Sequence, residues 1–349
     1  MAEQKVKVAS TKCGGCGDDM VFSPDDACLK CPSCNSLTTI SAKKSYEKHS
    51  VVEDKTLADD NKKYKEANRF ISCPNCGAKI ELEGLKVAST CPYCSTGLVS
   101  IKDEEEGKTP DAVIPFRISK QKAEEIFKKK LTSNWLVPSS FKKNISADSI
   151  EAFYFPSFVF DATCSSSYSG QAYDTYRDSE GNSRRRYYPV FGRLVSNHNG
   201  VEVESSSQLS QEELNFVRPY NVNEAVCYDS QYIAGYSLEC YDHSAKDCYI
   251  QAQNIIKQDI RSQIVRKINA DGIVSLNINT EFMNPTYFYC ILPIYRVNYQ
   301  HKEKKYSNVI NGQTGALGGK IPKSALKLSL VIILPILAVL LPILLMVLL

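Results

Sequence analysis

The sequence predicts two small β-rich ribbons, an α+β domain with an antiparallel sheet, and one C-terminal transmembrane helix. Three observations carry this prediction. Eight cysteines form two matching sets, the middle of the chain is rich in aromatic residues, and the last 22 residues have no charge. The chain has 349 residues, enough for two or three domains with a sizeable core. Its net charge of +3 and apolar content of 43% are those of an ordinary globular protein, which excludes a wholly disordered chain.

Two sets of four cysteines share the spacing C-x2-C-x14-C-x2-C. The ligand candidates are Cys13, Cys16, Cys31 and Cys34 in the first set, and Cys73, Cys76, Cys91 and Cys94 in the second. Each cysteine of the second set lies 60 residues after its counterpart, which indicates an internal repeat. Four thiolates close a tetrahedral site that suits Zn²⁺ and leaves no open position for catalysis. The spacing therefore predicts two structural zinc ribbons with two Zn²⁺ per chain, and iron in the same four-sulfur geometry is the alternative.

One further cysteine lies inside the first set. Cys28 forms another C-x2-C pair with Cys31, so it could replace Cys34 as a ligand. The repeat argues against this, because Ala88 occupies the matching position of the second set. We therefore predict that Cys28 is not a ligand. Buried free thiols are the interpretation of the remaining five cysteines, Cys164, Cys227, Cys240, Cys248 and Cys290.

The uncharged run over residues 328–349 predicts a transmembrane helix. Its 22 residues would span about 33 Å as a helix, enough for a hydrocarbon core of about 30 Å. Pro335 and Pro342 are tolerated in membrane helices. The alternative is a buried core helix, but nothing follows the run that would cover it.

The residues before this run predict the orientation and location. Residues 296–327 contain seven Lys or Arg and one acid, and positively charged flanks stay on the cytoplasmic side. The N-terminus lacks the apolar run of a secretory signal. We therefore expect a tail-anchored, single-pass protein of the cell membrane, with the bulk of the chain in the cytoplasm. Lys320, Lys323 and Lys327 are expected to contact anionic lipid head groups, and a plain topology signal is the alternative explanation.

Composition shifts divide the chain into segments. The predicted segments are ribbon 1 (1–45), a charged linker (46–69), ribbon 2 (70–102), an acidic spacer (103–109), the α+β domain (110–320) and the membrane helix (328–349). Within the α+β domain, apolar spacing predicts helices from Ser119 to about Leu131 and over 243–268, and strands at 153–160, 273–279, 287–299 and 305–310. A helix, a strand with a central proline and a hairpin occur twice, around Pro156 and Pro293, which suggests an αββ duplication.

The ribbon region does not offer the basic surface that strong nucleic-acid binding needs. Residues 1–108 hold 16 Lys or Arg and 17 Asp or Glu, and eight thiolates with two Zn²⁺ lower the net charge to about −5. A basic patch at Lys62, Lys63, Lys65 and Arg69 is interleaved with acids and is typical of a solvated helix face. We therefore expect no nucleic-acid binding by the ribbons.

No motif for catalysis is present. The sequence has no H-E-x-x-H or G-x-S-x-G, and its nearest approach to a phosphate loop has Thr314 in place of the first glycine and Ile321 in place of the final hydroxyl residue. Glu202 and Glu204 alternate on a predicted strand, and we interpret them as a solvated face. The protein is therefore predicted not to be an enzyme, and an enzyme with an unrecognised site is kept as a third hypothesis.

Several segments together resemble a known group. These are Cys73–Gly77, Leu136–Lys142, Phe153–Phe158, Ala234–Tyr236, Leu292–Tyr295 and Asn311–Gly318. The chain from residue 70 to its end is similar to bacterial TFIIB-type zinc-ribbon membrane proteins, which are often labelled replication-restart primosomal or helicase proteins. It departs from them at Ser157-Phe158, where the family usually carries Trp, and it lacks the phosphate loop of a helicase. Some similar proteins are encoded beside phage-shock-type and SPFH-type membrane proteins, so the resemblance implies an envelope-linked scaffold without an established reaction.

These observations predict an adaptor that holds a membrane-associated partner protein on the cytoplasmic side, in envelope or membrane-stress assembly. The alternative is a membrane-tethered zinc-ribbon factor that binds nucleic acid in replication or transcription. The ribbon charge favours the adaptor, because counterion release at a basic surface supplies most of the affinity for nucleic acid.

Overall fold

The structure is a computed structural model of the chain. It describes residues 11–41, 45–52, 69–73, 76, 78–82, 86–91, 93, 97–99, 109–139, 150–207, 209–239, 241–301, 304–324, 327–329, 331 and 333. Cys94, most of the predicted linker and acidic spacer, and residues 334–349 of the predicted membrane helix lie outside these residues.

The ribbon region consists of short strands. Strands β1 (Val21–Ser23), β2 (Cys28–Lys30) and β3 (Leu37–Thr38) form a three-stranded antiparallel sheet in ribbon 1. Strand β4 (His49–Ser50) follows, and ribbon 2 contains β5 (Arg69–Ser72), β6 (Lys79–Leu82), β7 (Lys86–Thr90) and β8 (Gly97–Val99). Strands β5 and β6 pair with each other, and β7 pairs with β8.

Three helices and eight further strands build the rest of the described chain. The helices are α1 (Lys120–Ser133), α2 (Gln211–Val217) and α3 (Ala245–Ile268), with 3-10 turns at Val222–Glu224 and Ser230–Ile233. The strands are β9 (Ala112–Val113), β10 (Ile150–Arg177), β11 (Ser183–Glu204), β12 (Val226–Cys227), β13 (Ser237–Glu239), β14 (Gly272–His301), β15 (Lys304–Asn311) and β16 (Leu317–Gly319).

Eleven of the described strands form one mixed sheet. Its main path runs β12-β9-β14-β10-β13-β7-β8, and β11, β15, β16 and β4 pair off this path. The long strands β10 and β14 lie antiparallel at its centre, with Tyr154 opposite Pro293 and Pro156 opposite Ile291. In each half of the domain a helix precedes the long strand and a hairpin partner follows it, so the order expected for a duplication occurs twice. The duplication itself stays a prediction.

Helix α3 lies along one face of the long strands. Its apolar residues recur at helical spacing, so that Ile256, Ile260 and Ile264 are buried in one cluster with Cys164 and Tyr168 of β10. Ser244 caps its first turn by accepting from the Asp247 amide, and Asn269 ends it in the left-handed conformation. We call the part of the sheet under this helix the arm, formed by residues 162–177 of β10, 183–198 of β11 and 272–283 of β14. The opposite face of the arm is exposed to solvent.

The predicted fold class is wrong in three respects. Among the described residues, no helix is both long and apolar enough to cross a membrane. The sheet is mixed, because β10 pairs in parallel with β13 and β14 pairs in parallel with β9. Ribbon 2 is not separate, because its strand β7 pairs with β13 and so extends the main sheet. Strand pairing between distant segments has no signal in local spacing, which explains the last two differences.

Candidate metal centres

The first candidate metal centre is formed by two tight turns of ribbon 1. The Cys13 amide donates to the Asp18 carbonyl at 2.8 Å and the Gly17 amide donates back to the Cys13 carbonyl at 2.9 Å. Gly17 has φ +75, a conformation that glycine adopts without strain. The second turn repeats this arrangement, since Asn35 has φ 59 and its amide donates to the Cys31 carbonyl at 3.0 Å. The turns therefore aim all four thiols at one point.

The four sulfurs lie close enough to hold one metal ion. Those of Cys13, Cys16, Cys31 and Cys34 all lie within 4.8 Å of one another. The Cys13–Cys34 and Cys16–Cys31 Sγ distances are 3.5 and 3.4 Å. A tetrahedral site with metal–sulfur bonds of about 2.3 Å has sulfur–sulfur edges of about 3.8 Å. The donor set therefore fits a thiolate-bound ion such as Zn²⁺ with a small expansion.

Hydrogen bonds favour the thiolate form of two of these cysteines. The Ser36 hydroxyl and amide lower the pKa of Cys34 to about 6. The backbone amides of Cys16 and Gly15 lower the pKa of Cys13.

The thiol of Cys16 behaves in the opposite way. The Asp18 amide lowers its pKa, but the neighbouring thiols of Cys31 and Cys34 outweigh this effect and raise the pKa to about 12. Thiols that crowd one another in this way release their protons together when a cation enters.

The second cluster repeats the first over its described residues. Cys73, Cys76 and Cys91 have sulfurs within 4.8 Å of one another, with 3.6 Å between Cys76 and Cys91. The Cys73 amide donates to the Ala78 carbonyl at 2.9 Å, the same bond that Cys13 makes 60 residues earlier. Both clusters could hold a metal ion. Cys94, the fourth predicted ligand, lies outside the described residues.

Cys28 lies apart from these groups. It is buried, but it is not among the cysteines whose sulfurs converge. Cys164, Cys248 and Cys290 are also buried, and burial raises the pKa of each thiol.

Ribbon 1 packs into the core of the large domain. The Phe22 amide donates to the Ala234 carbonyl at 3.0 Å, and the Phe22 and Tyr232 rings meet edge to face at 5.4 Å. Gly235 has φ +87, and a Cβ there would lie 3.1 Å from Val21. Phe22 belongs to the largest buried cluster of the described residues. The first cysteine cluster is therefore continuous with the core.

One short segment contacts both ribbons. Residues 230–239, which we call the ribbon-binding segment, meet ribbon 1 through Tyr232 and Ala234 and then continue into β13. Leu238 and Glu239 of β13 lie opposite Ala88 and Lys86 of ribbon 2. The ribbon-binding segment thus fixes both candidate metal centres to the same edge of the domain.

The Asn311–Gly315 turn is part of the core. Asn311 is fully buried, donates to the Val217 carbonyl at 2.7 Å and accepts from the Gln313 and Thr314 amides. A Cβ on Gly312 would fall 2.5 Å from the Phe116 ring. These contacts fix the conformation of the turn and pack it into the core.

The paired acids on β11 are buried, so the prediction of a solvated face is wrong. Glu202 pairs with Arg218 at 3.2 Å, and Oε1 of Glu204 has no hydrogen-bond partner within the described chain. Burial raises the pKa of Glu204 to about 8. The end of β11 enters the core here because Val203, between the two acids, packs with β10. Alternation alone could not show that both faces of this stretch are covered.

Two of the three lysines expected to meet lipid make contacts within the chain. Lys320 pairs with Glu212 at 2.9 Å, and Lys327 donates to the Trp135 and Val137 carbonyls at 2.7 and 3.1 Å. Lys323 is exposed. The lipid contact stays a prediction.

Comparison with known proteins identifies a distant relative. The chain is 28% identical over 329 residues to the uncharacterized protein YdjG of Bacillus subtilis strain 168, and the match covers 92% of each chain. No family model matches the chain. No solved structure matches it significantly.

Proposed function

We propose that the protein is a non-catalytic adaptor whose two cysteine clusters bind structural Zn²⁺ and present the ribbons to a partner protein. The main support is the closed four-thiol geometry of the first cluster, which is continuous with the core through Phe22. Four thiolates fill the coordination of the ion and leave no position for a substrate. A metal held in this way stabilises a surface rather than performing a reaction.

The ribbons offer exposed apolar side chains for such a partner. Leu37 on β3 is 55% exposed, and Tyr93, between the two cysteines of the last C-x2-C pair, is 77% exposed. Tyrosine is enriched at protein interfaces and often dominates their binding energy. Because the ribbon-binding segment fixes both ribbons to one edge, a partner could contact both without a large loss of conformational freedom.

Metal analysis tests the zinc assignment. Purified full-length protein should contain about two equivalents of zinc. Cys31→Ser should remove one equivalent, because this thiol belongs to the first cluster. Cys28→Ser is the matched control, since it changes another buried cysteine three residues away and should keep both equivalents. Loss of an equivalent in the Cys28 variant, or iron in place of zinc, would contradict the assignment.

Crosslinking in cells tests the adaptor role. We expect one protein to crosslink specifically to the wild-type chain and to be absent from Leu37→Asp and Tyr93→Asp. Ile250→Asp, at an exposed position of α3 outside the ribbons, is the control and should keep the crosslink. The metal content of each variant shows whether the ribbons remain intact. A crosslink that all variants retain, or none in any of them, argues against the ribbons as the partner-binding surface.

A further inference from the structure

The solvent-exposed face of the arm carries a row of basic and aromatic side chains. Alternate residues of β11 point away from α3, and from one end of the row to the other they are Arg185, Tyr187, Pro189, Phe191 and Arg193. Phe191 is 79% exposed and Tyr187 is 53% exposed. Leu194 lies on the other side of the strand and packs against the buried isoleucines of α3. The side chains that alternate with Leu194 therefore point away from the helix. We call these five residues the aromatic–basic row.

The neighbouring strands add a tyrosine and a field of small polar groups. Tyr173 of β10 lies opposite Tyr187 with ring centroids 5.7 Å apart, and the Arg185 guanidinium lies 4.5 Å from the Tyr173 ring centre. The positions opposite the rest of the row, and the next strand beyond them, are occupied by Gln171, Ser169, Ser167, Ser275, Asn277 and Asn279. The face therefore carries rings and cations along one strand and hydrogen-bonding groups along two others.

The charge of this face favours an anionic ligand. The side chains on this face contain no carboxylate between the pair Thr175–Arg185 and the pair Ser167–Arg193. The first carboxylate on the face beyond this stretch is that of Glu281. Nearby acids have other roles. Asp174 accepts from the Tyr188 hydroxyl, and Asp178 pairs with Arg184 in the turn. Asp271 accepts from the Thr175 amide at 2.6 Å, so one carboxylate lies near the Arg185 end of the row. Among the described residues, neither arginine of the row forms an ion pair with an acid.

The spacing of the row suits an extended polymer. Alternate residues of a strand lie about 6.8 Å apart, twice the roughly 3.4 Å between stacked bases of a duplex. An unstacked single strand can therefore place its bases on successive side chains of the row while its phosphates lie near the arginines. Aromatic rings on an open sheet are a general platform for bases, and serine, asparagine and glutamine can bond to the base edges.

Two other occupants fit less well. A second copy of the chain, packed on this face about a two-fold axis through Pro189, would bring Arg185 beside Arg193 of its mate, and these like charges repel. A partner protein would have to bury Ser167, Ser169 and the asparagines, and serine is depleted in the centre of protein interfaces.

We propose that the exposed face of the arm is a binding site for single-stranded nucleic acid, in which Tyr187 and Phe191 stack on bases and Arg185 and Arg193 contact phosphates. This inference goes beyond the adaptor role and does not depend on it, since the ribbons lie outside the arm. It also differs from the nucleic-acid hypothesis based on the ribbons, because the acidic ribbon region takes no part.

Binding of a fluorescein-labelled oligothymidylate of about 20 nucleotides to the full-length protein tests the proposal. We expect a dissociation constant in the micromolar range at about 50 mM salt, and weaker binding to a duplex of the same length. Phe191→Ala should weaken binding about tenfold. Arg185→Ala with Arg193→Ala should reduce the slope of log K against log salt by about 1.4, because each phosphate that is no longer neutralised lowers the slope by roughly 0.7.

Two exposed residues of α3 provide matched controls. Ile250→Ala and Arg266→Ala change an apolar and a basic side chain away from the face and should leave binding unchanged. Phe191→Trp should retain binding, and its fluorescence should be quenched by the oligonucleotide beyond any change of Trp135 in the wild type. Circular dichroism of each variant checks folding.

Three results would overturn the proposal. The first is no binding at about 100 μM protein and about 50 mM salt. The second is binding that Phe191→Ala and the double arginine variant both leave unchanged, which would place the ligand elsewhere. The third is loss of the adaptor's crosslinked partner in Phe191→Ala without any oligonucleotide binding by the wild type, which would assign the face to a protein.

Discussion

At the scale of single residues, close approaches and burial decide what each position tolerates. Gly312 is an example, because the turn after β15 presses its backbone against Phe116 and Pro293. Glu204 is another, because it ends β11 inside the core and one of its carboxylate oxygens has no hydrogen-bond partner among the described residues. The sequence does not reveal the close approach at the first position or the burial of the second, and both should respond strongly to substitution.

Gly312→Ala should destabilise the protein. The added Cβ would lie 2.5 Å from Phe116 ring atoms and 2.8 Å from Pro293 Cβ, so the buried ring must move. Overpacking of this kind costs about 1–3 kcal/mol. Urea unfolding of Gly312→Ala and Gly14→Ala measures the difference, since a Cβ at Gly14 meets nothing within 4 Å. Equal stability of the two variants would show that the turn is loosely packed.

Glu204→Gln should flatten the pH dependence of stability. The native pKa is about 8 because of burial, and the unfolded value is about 4.3. The native state therefore keeps a proton that the unfolded state has released, and the free energy of unfolding falls as pH rises from about 4 to 8. The variant should resemble the wild type near pH 5 and exceed its stability by about 1–3 kcal/mol near pH 8.

The control for this experiment is Glu281→Gln, which changes an exposed carboxylate on the arm. Urea midpoints at both pH values give the comparison. A gain at pH 8 that Glu281→Gln shares would show that net charge, rather than the buried group, sets the pH dependence.

At the scale of elements, the arm depends on α3. In the arm, the ends of β10, β11 and β14 form a three-stranded layer, and a sheet with so few strands needs a covering face to be stable. The isoleucines of α3 supply this cover on one side. The other side remains open, and its polar and aromatic side chains are those of the proposed nucleic-acid site.

Ile260→Ala should loosen α3 from the arm. The side chain is fully buried among β10 residues, and truncation of a buried isoleucine costs about 2–5 kcal/mol. Ile255→Ala on the same helix is the control, because Ile255 is 43% exposed and its truncation should cost less than about 1 kcal/mol. Chemical denaturation gives both values. A similar decrease in both variants would mean that burial against the arm does not explain the effect.

At the scale of the whole molecule, the ribbons and the large domain share structure. Ribbon 1 contributes Phe22 to the main core, and ribbon 2 extends the main sheet through β7. The ribbon-binding segment joins both contacts. Loss of metal from one candidate centre should therefore lower the stability of more than the ribbon that contains it.

Removal of metal should lower the melting temperature of the whole described domain. Structural metal contributes directly to folding free energy, and a loss of about 5 kcal/mol lowers Tm by roughly 10–20 °C for a domain of this size. Thermal unfolding with and without a chelator, followed by circular dichroism, measures the shift. Zinc added back should restore Tm. A separate small transition of the ribbons, with the main transition unmoved, would contradict the coupling.

The sequence by itself determined the features that depend on local spacing. The C-x2-C turns and the 60-residue repeat placed thiols together, so that two groups could hold a metal ion. The apolar period of residues 243–268 predicted helix α3, and the expected strands at 273–279 and 287–299 lie within the single strand β14. Turns and amphipathic periods are encoded within a few residues, which is why one chain sufficed to predict them.

Only the tertiary structure decided which distant segments meet. The parallel contacts of β9 and β13, the burial of Glu202 and Glu204, and the fusion of ribbon 2 with the main sheet all depend on neighbours far along the chain. The aromatic–basic row was present in the sequence as alternating residues of β11, but alternation does not say which face a helix covers. The packing of α3 decides which face is covered, because its isoleucines are buried against one face of the arm and this burial stabilises the fold.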